Sequence, residues 1–185
     1  MSENNYGSVV MEDFVLKNGQ RVVIRDLEPK DYDSFCNFFQ KLALETIFTN
    51  QYPNRPKQTK ENFLRRFENK AMFALGVFDN RDKMVGLCNV YIERPEHPWL
   101  NRSCEFGIMI LKQYTSGGLG TYLMKKMEEW ARRENMHRMM ARVRAKNVAA
   151  LSLYLKCGFV VEGLAREVAF INDEWHDEYL IAKIL

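Results

Sequence analysis

The sequence has no apolar run near the roughly 20 residues that a helix needs to cross a bilayer, which excludes a helical membrane span. Cysteine is scarce. The four residues, Cys36, Cys88, Cys104 and Cys157, form no CxxC pair and sit inside apolar stretches, which fits reduced core thiols rather than a disulfide frame or a zinc site. The three histidines, His97, His137 and His176, lack metal-ligand spacing, so no metal is expected. An excess of one charge is missing too: 27 Lys and Arg against 24 Asp and Glu leave +3, too little for a tail-driven nucleic-acid binder. Met1 to Asp13 carries neither a basic segment followed by an apolar one nor an Arg-rich amphipathic pattern, so a cytoplasmic location is expected. Repeats and low-complexity segments are absent.

What remains is a chain of 185 residues, 46% hydrophobic and 28% charged, suited to one soluble core. A single domain over residues 1–185 is expected, with a candidate flexible tail at 1–12. Phe14 to Ile24 reads as a hairpin around Asn18-Gly19, a pair that supplies the positive φ of a tight turn. Tyr32, Phe35, Phe38, Phe39 and Leu42 recur at helical spacing, and Thr59 can cap a second helix carrying Phe63, Leu64 and Phe67. Met72–Phe78, Met84–Ile92 and Cys104–Ile110 read as antiparallel strands. A long amphipathic helix begins at Gly118, followed by a strand at Met139–Arg144 and a short helix from Asn147 to Lys156. A final pair of strands, Phe159–Ile171 and Glu174–Leu185, turns at Asn172-Asp173. The class is α/β: a mixed, mostly antiparallel sheet of about seven strands flanked by helices.

Two segments carry chemistry. In CEFGIMILKQYTSGGLGT, Cys104 to Thr121, a strand enters a glycine-containing loop that feeds the long helix. Unpaired N–H groups at a helix start, with the macrodipole's partial positive charge, can hold a pyrophosphate at Ser116 to Gly120. Gly117, Gly118 and Gly120 would permit close approach, and the Thr121 hydroxyl could add a donor; the same glycines also fit a tight turn and close helix packing. A Walker A loop needs Lys and then Ser or Thr after the last glycine, but Thr121 and Tyr122 follow Gly120, which disfavours ATP. The dinucleotide fingerprint needs a small residue where Leu123 stands, and a parallel βαβ unit, which disfavours NAD.

The second segment, NVAALSLYLKCGFVVEGLAR, spans Asn147 to Arg166. With the first it resembles the GNAT superfamily of N-acetyltransferases, in the branch of ribosomal-protein N-terminal and diamine acetyltransferases. The resemblance rests on Asn147, Ala150, Leu153-Tyr154, Lys156, Gly158-Phe159, Glu162-Gly163 and Arg166 in register, on the upstream loop, and on IRDLEP after the hairpin. It implies a GNAT-like sheet with helices on both faces, splayed between the strand of Ile108 and that of Val143, with acetyl-CoA as co-substrate in the opening. Cofactor contacts would fall on Ile108, Met109, Ile110, Ser116, Gly117, Gly118, Leu119, Gly120, Thr121, Asn147, Tyr154 and Lys156. One departure stands out: the family's usual Gln or Arg followed by Gly is Thr115-Ser116 here, which removes a side-chain contact and leaves the backbone donors.

The resemblance also implies catalytic roles. Tyr154 matches the tyrosine that protonates the departing thiolate, and core packing beside Leu151 and Leu155 is its other role. Asn147 fits both a cofactor contact and an ordinary helix N-cap. A base is needed because an alkylammonium of pKa about 10.4 cannot attack a carbonyl; Glu105, alternating with Gly107 and Met109 on one face of its strand, is the candidate, beside a glycine that leaves room for substrate. Some ribosomal-protein acetyltransferases use a glutamate on the next strand, where this chain has Arg142. Phe35 to Tyr52 and Arg94 to Trp99 would border the acceptor site, with Glu45 attracting an amine. The expected function is transfer of acetyl from acetyl-CoA to a primary amine of a small molecule. The alternatives are a protein N-terminal acetyltransferase, or a non-catalytic acyl-CoA or nucleic-acid module prompted by Arg132, Arg133, Arg138, Arg142, Arg144 and Lys146. Nucleic acid is disfavoured because CoA itself attracts basic residues, and a homodimer is left open.

Overall fold

A computed structural model describes residues 11–68 and 71–185. Eight strands form one sheet: β1 (Glu12–Val15), β2 (Arg21–Asp26), β3 (Met72–Phe78), β4 (Met84–Ile92), β5 (Ser103–Ile110), β6 (Arg138–Arg144), β7 (Val160–Ile171) and β8 (Glu174–Ile184). Their spatial order is β1-β2-β3-β4-β5-β6-β8-β7. The count exceeds the expected seven or so because both hairpin strands join the sheet, β2 pairing with β3 from Val23↔Phe78 to Asp26↔Leu75. All neighbours are antiparallel except β5 and β6. The expected tail at 1–12 lies largely outside the described residues, and Glu12 itself opens β1.

Four helices divide between the two faces. Helix α1 (Tyr32–Glu45) and the short α2 (Lys60–Leu64) cover one, where Phe35 packs on Phe63 at 5.0 Å. The Thr59 side chain caps α2 by accepting from the Asn62 N–H. Helix α3 (Leu119–Arg133) covers the other face and buries Leu119, Leu123, Met124, Met127, Trp130 and Ala131, its apolar stripe. Trp130 stacks on Phe73 of β3 with centroids 5.7 Å apart. Each such side chain contributes about 1.5–3 kcal/mol by leaving water. Helix α4 (Val148–Lys156) lies on the α3 side, where Tyr154 meets Phe106 of β5 edge-on at 5.2 Å.

A buried ion pair ties β2 to the chain entering α1. Arg25 and Asp31, 5% and 3% exposed, meet through two hydrogen bonds of 2.7 and 2.9 Å. The Arg25 guanidinium also lies 3.7 Å from the centroid of Phe78 and reaches Asp82 at 3.1 Å.

Candidate active site

The sheet opens between β5 and β6. Their parallel pairing runs only through Ser103↔Arg138, Cys104↔Met139 and Glu105↔Met140, so from Phe106 onward the two strands diverge. Strand β5 keeps its antiparallel ladder to β4 as far as Ile110, and the Leu111 N–H donates to the Val85 carbonyl at 2.9 Å. Because main-chain groups alternate sides along a strand, Met109 and Gly107 face β4 in step with Leu111. Ile108 and Ile110 therefore turn their N–H and C=O groups into the opening. Two of the expected cofactor-contacting residues stand with free main-chain edges at the fork. Met109, expected with them, turns its main chain to β4 instead.

The loop after β5 delivers the start of α3 to this opening. Ser116 and Gly118 both adopt left-handed φ values, 62° and 89°, and Gly118 is the N-cap without any side-chain cap bond. Among the described residues the N–H groups of Ser116 through Thr121 find no protein acceptor, and the ladder of α3 begins with Tyr122 donating to the Gly118 carbonyl at 3.1 Å. Six donors and the positive end of a 15-residue helix thus share one spot. Two of the glycines serve the fold directly. A Cβ on Gly117 would stand 2.7 Å from Leu16, and one on Gly120 would stand 2.9 Å from Leu153 of α4. Gly120 thereby brings α4 against the first turn of α3, and with it Tyr154.

Asn147 accepts a hydrogen bond from the Ala150 N–H at 3.2 Å and so performs the N-cap role. Lys156 ends α4 as an exposed cation. Tyr154 is 7% exposed, enclosed by Phe106 and Phe159, and burial pushes its phenol well above the ordinary value. It is protonated at neutral pH. Cys157, beside it in sequence, is a half-buried thiol that burial pushes up, and burial holds Cys88 and Cys104 at about 12, so none is poised as a nucleophile.

On the opposite face of β5, Glu105 sits at the vertex, in the last pair joining β5 to β6. It lies opposite Tyr91 of β4. Burial first, and then its hydrogen bond to the Glu105 carboxylate, raise the Tyr91 phenol, which therefore donates to the carboxylate. The room expected beside Gly107 is filled: the Oδ1 of its partner Asn89 lies 2.9 Å from where a Cβ would stand. Asn89 and Tyr91 are polar members of the site that the reading of the sequence passed over, although polar residues alternating within an apolar strand were a usable signal. Glu45 does not face an amine: its carboxylate accepts from the Lys112 N–H at 2.8 Å and pins the end of α1 to the segment after β5.

A cavity of about 440 Å³ lies between this face and the α1–α2 cover, and a second of about 710 Å³ lies between α1 and the 51–58 segment. Leu87, Asn89 and Met109 line the first, and Phe35 through Leu44 together with the 51–58 segment line the second. Of the two stretches expected to border an acceptor, residues of Phe35 to Tyr52 line these cavities and the Arg94–Trp99 loop lines neither. The basic run that prompted a nucleic-acid reading is largely neutralised: Arg132 pairs with Glu128, Arg138 with Glu162, Arg144 with Glu178 and Lys146 with Glu174. No described helix is long and apolar enough to cross a membrane.

An L-amino acid N-acetyltransferase from Escherichia coli strain K12 is 29% identical to this chain, over 88% of it and 98% of the relative. A spermidine N(1)-acetyltransferase from Vibrio cholerae is 28% identical over 65% of the chain and 68% of the relative. The crystal structure of a GNAT-family acetyltransferase from Streptococcus pneumoniae matches with a TM-score of 0.80 at 30% identity, covering 89% of this chain and 99% of that one. A family model described as an acetyltransferase (GNAT) domain matches residues 21–160. That match runs from the first residue of β2 to the first of β7 and takes in the fork, the loop before α3 and Tyr154, so the chain belongs to the GNAT family of acetyltransferases.

Proposed function

We propose that the chain transfers acetyl from acetyl-CoA to the primary amine of a small molecule by direct attack on the thioester. The observation that carries this reading is the run of N–H groups from Ser116 to Thr121 without acceptors among the described residues, set at the open end of the β5–β6 fork beside Tyr154. A diphosphate would satisfy those donors, and the pantetheine arm would follow the free edge of Ile108 and Ile110. The amine's lone pair forms the C–N bond while the carbonyl oxygen gains charge that a β5 N–H stabilises. Collapse of the tetrahedral intermediate breaks C–S, and the electron pair leaves on sulfur. Tyr154, a weaker acid than a thiol, keeps its proton at neutral pH and is placed to donate it as charge builds on sulfur. Glu105 takes the proton lost by the amine, held in place by Tyr91. A cavity of about 440 Å³ on the Glu105 face, lined by Leu87, Asn89 and Met109, supports a small acceptor.

Thiol release from acetyl-CoA with a library of amines tests the reading. Glu105→Gln is expected to cost about 100-fold in kcat/KM for alkylamines of pKa about 10.4, and much less for peptide α-amines of pKa about 8. Equal losses for both would remove Glu105 from the role of base.

A further inference from the structure

We propose that Arg66 forms a carboxylate-recognising end of the acceptor cavity, so that the acceptor is a small amino-acid-type zwitterion. This rests on the acetyltransferase reading above and narrows its substrate. Arg66 follows α2 and lines both cavities. Its guanidinium lies over the Phe35 ring, 4.9 Å from the centroid, and its Nε is shut off from solvent with no hydrogen-bond partner. Among the described residues its one polar contact is a long one, to Gln58 Oε1 at 3.4 Å.

The other shielded arginines are different. Arg25 has Asp31 and Arg144 has Glu178, whereas Arg66 meets no carboxylate among the described residues. Burial accordingly lowers its pKa with no acidic neighbour to offset the effect. The guanidinium is half-buried and meets no counter-ion among the described residues, so a bound anion would offset the cost of its burial. The charge of the lining agrees. Among the described residues, Arg65 and Arg66 on the first cavity, and Arg55, Lys57 and Arg66 on the second, are the only charged lining residues, and no Asp or Glu lines either. Arg65 is engaged by Glu61 at 2.9 Å and Arg55 by the Asn50 carbonyl at 2.8 Å, and Lys57 is exposed, which leaves Arg66 as the half-buried cation that lines both cavities.

Such a wall repels a polyamine, whose several ammonium groups need acidic partners, and a peptide, with a neutral amide where a free amino acid has its carboxylate, brings Arg66 no counter-ion there. A carboxylate can accept the paired N–H groups of a guanidinium. Gln51, Gln58 and Asn62 stand around the same space as further donors. Asn89, which lines the first cavity together with Arg66, pairs with Gly107, two residues from Glu105, about 7 Å along the strand. A short molecule can therefore offer its amine toward Glu105 while its carboxylate meets Arg66.

Thiol release should be measured with free L-amino acids, the matching carboxamides, spermidine and short peptides, using the wild-type chain, Arg66→Gln and Arg66→Lys. The expected wild-type result is a preference for carboxylate over carboxamide of about tenfold or more in kcat/KM, expressed in KM. In Arg66→Gln that ratio should fall toward one, and Arg66→Lys should retain part of it. The melting temperature of Arg66→Gln should hold or rise, because no partner is orphaned. A wild-type ratio near one, a preference for spermidine or peptides, or a ratio unchanged by Arg66→Gln overturns the proposal and leaves acetyl transfer standing. No thiol release with any amine overturns both. The wild-type comparison needs no variant to fold.

Discussion

Tyr154→Phe should lower kcat by about 10²- to 10⁴-fold while leaving the KM for acetyl-CoA close to its wild-type value. The substitution removes one hydroxyl and keeps the ring that meets Phe106 at 5.2 Å and Phe159 at 6.3 Å. Among the described residues that hydroxyl has no hydrogen-bond partner, so its loss orphans no buried group, and thermal stability should change by less than about 1 kcal/mol. A defect confined to kcat is what a proton donor in the collapse step produces, because the donor acts only when charge has reached the sulfur. Steady-state kinetics with saturating amine checks it. A kcat within a few-fold of wild type would return Tyr154 to the core as a packing residue, and a large rise in KM would make it a binding residue.

Asp31→Ala should destabilise the fold by about 3–5 kcal/mol, a loss of about 10 °C in Tm for a chain of this size. The carboxylate accepts two hydrogen bonds from Arg25 and one from the Glu28 N–H at 2.7 Å, and truncation leaves a buried guanidinium with only the exposed Asp82 and the more distant Glu28. The pair also sets a pH dependence. Burial raises the Asp31 carboxyl, but the Arg25 and Glu28 hydrogen bonds and the Arg25 charge outweigh it and hold the carboxyl below its ordinary range. A depressed folded-state pKa means that the stabilisation is complete above the unfolded value of about 3.9 and is lost as pH falls through the folded one. Urea melts from neutral to acid pH should show this loss in the wild type and a shallower one in Asp31→Asn. A cost under 1 kcal/mol for Asp31→Ala would contradict the assignment.

Local signals carried most of the fold. Strands β3 and β4 end where the apolar runs end, and Gly19 takes φ 84° in the Asn18-Gly19 turn. Thr59 and Asn147 cap the helices they precede. These features depend on neighbours in sequence, which a period of 2 or 3.6 and cap chemistry report directly. The acceptor face was far less legible. Period 2 places Glu105, Gly107 and Met109 on one side of β5, but only the β4 register reveals that Asn89 occupies the space at Gly107 and that Tyr91 reaches Glu105. Nothing in the sequence sets Arg66 apart from Arg65, since its separation from carboxylates among the described residues depends on how α1 and the 51–58 segment pack beside it. Glu45 has the composition of an amine-attracting residue, and a backbone N–H 67 positions away claims it. Side-chain roles of this kind are decided by long-range packing, which no local pattern encodes.

The account rests on the donors at the start of α3, and a crystal structure of the chain with CoA tests them most directly. The predicted result has the diphosphate oxygens within hydrogen-bond distance of N–H groups between Ser116 and Thr121, with the pantetheine arm in the β5–β6 fork along Ile108 and Ile110. A CoA molecule bound elsewhere, with those N–H groups turned to other parts of the chain, would contradict it.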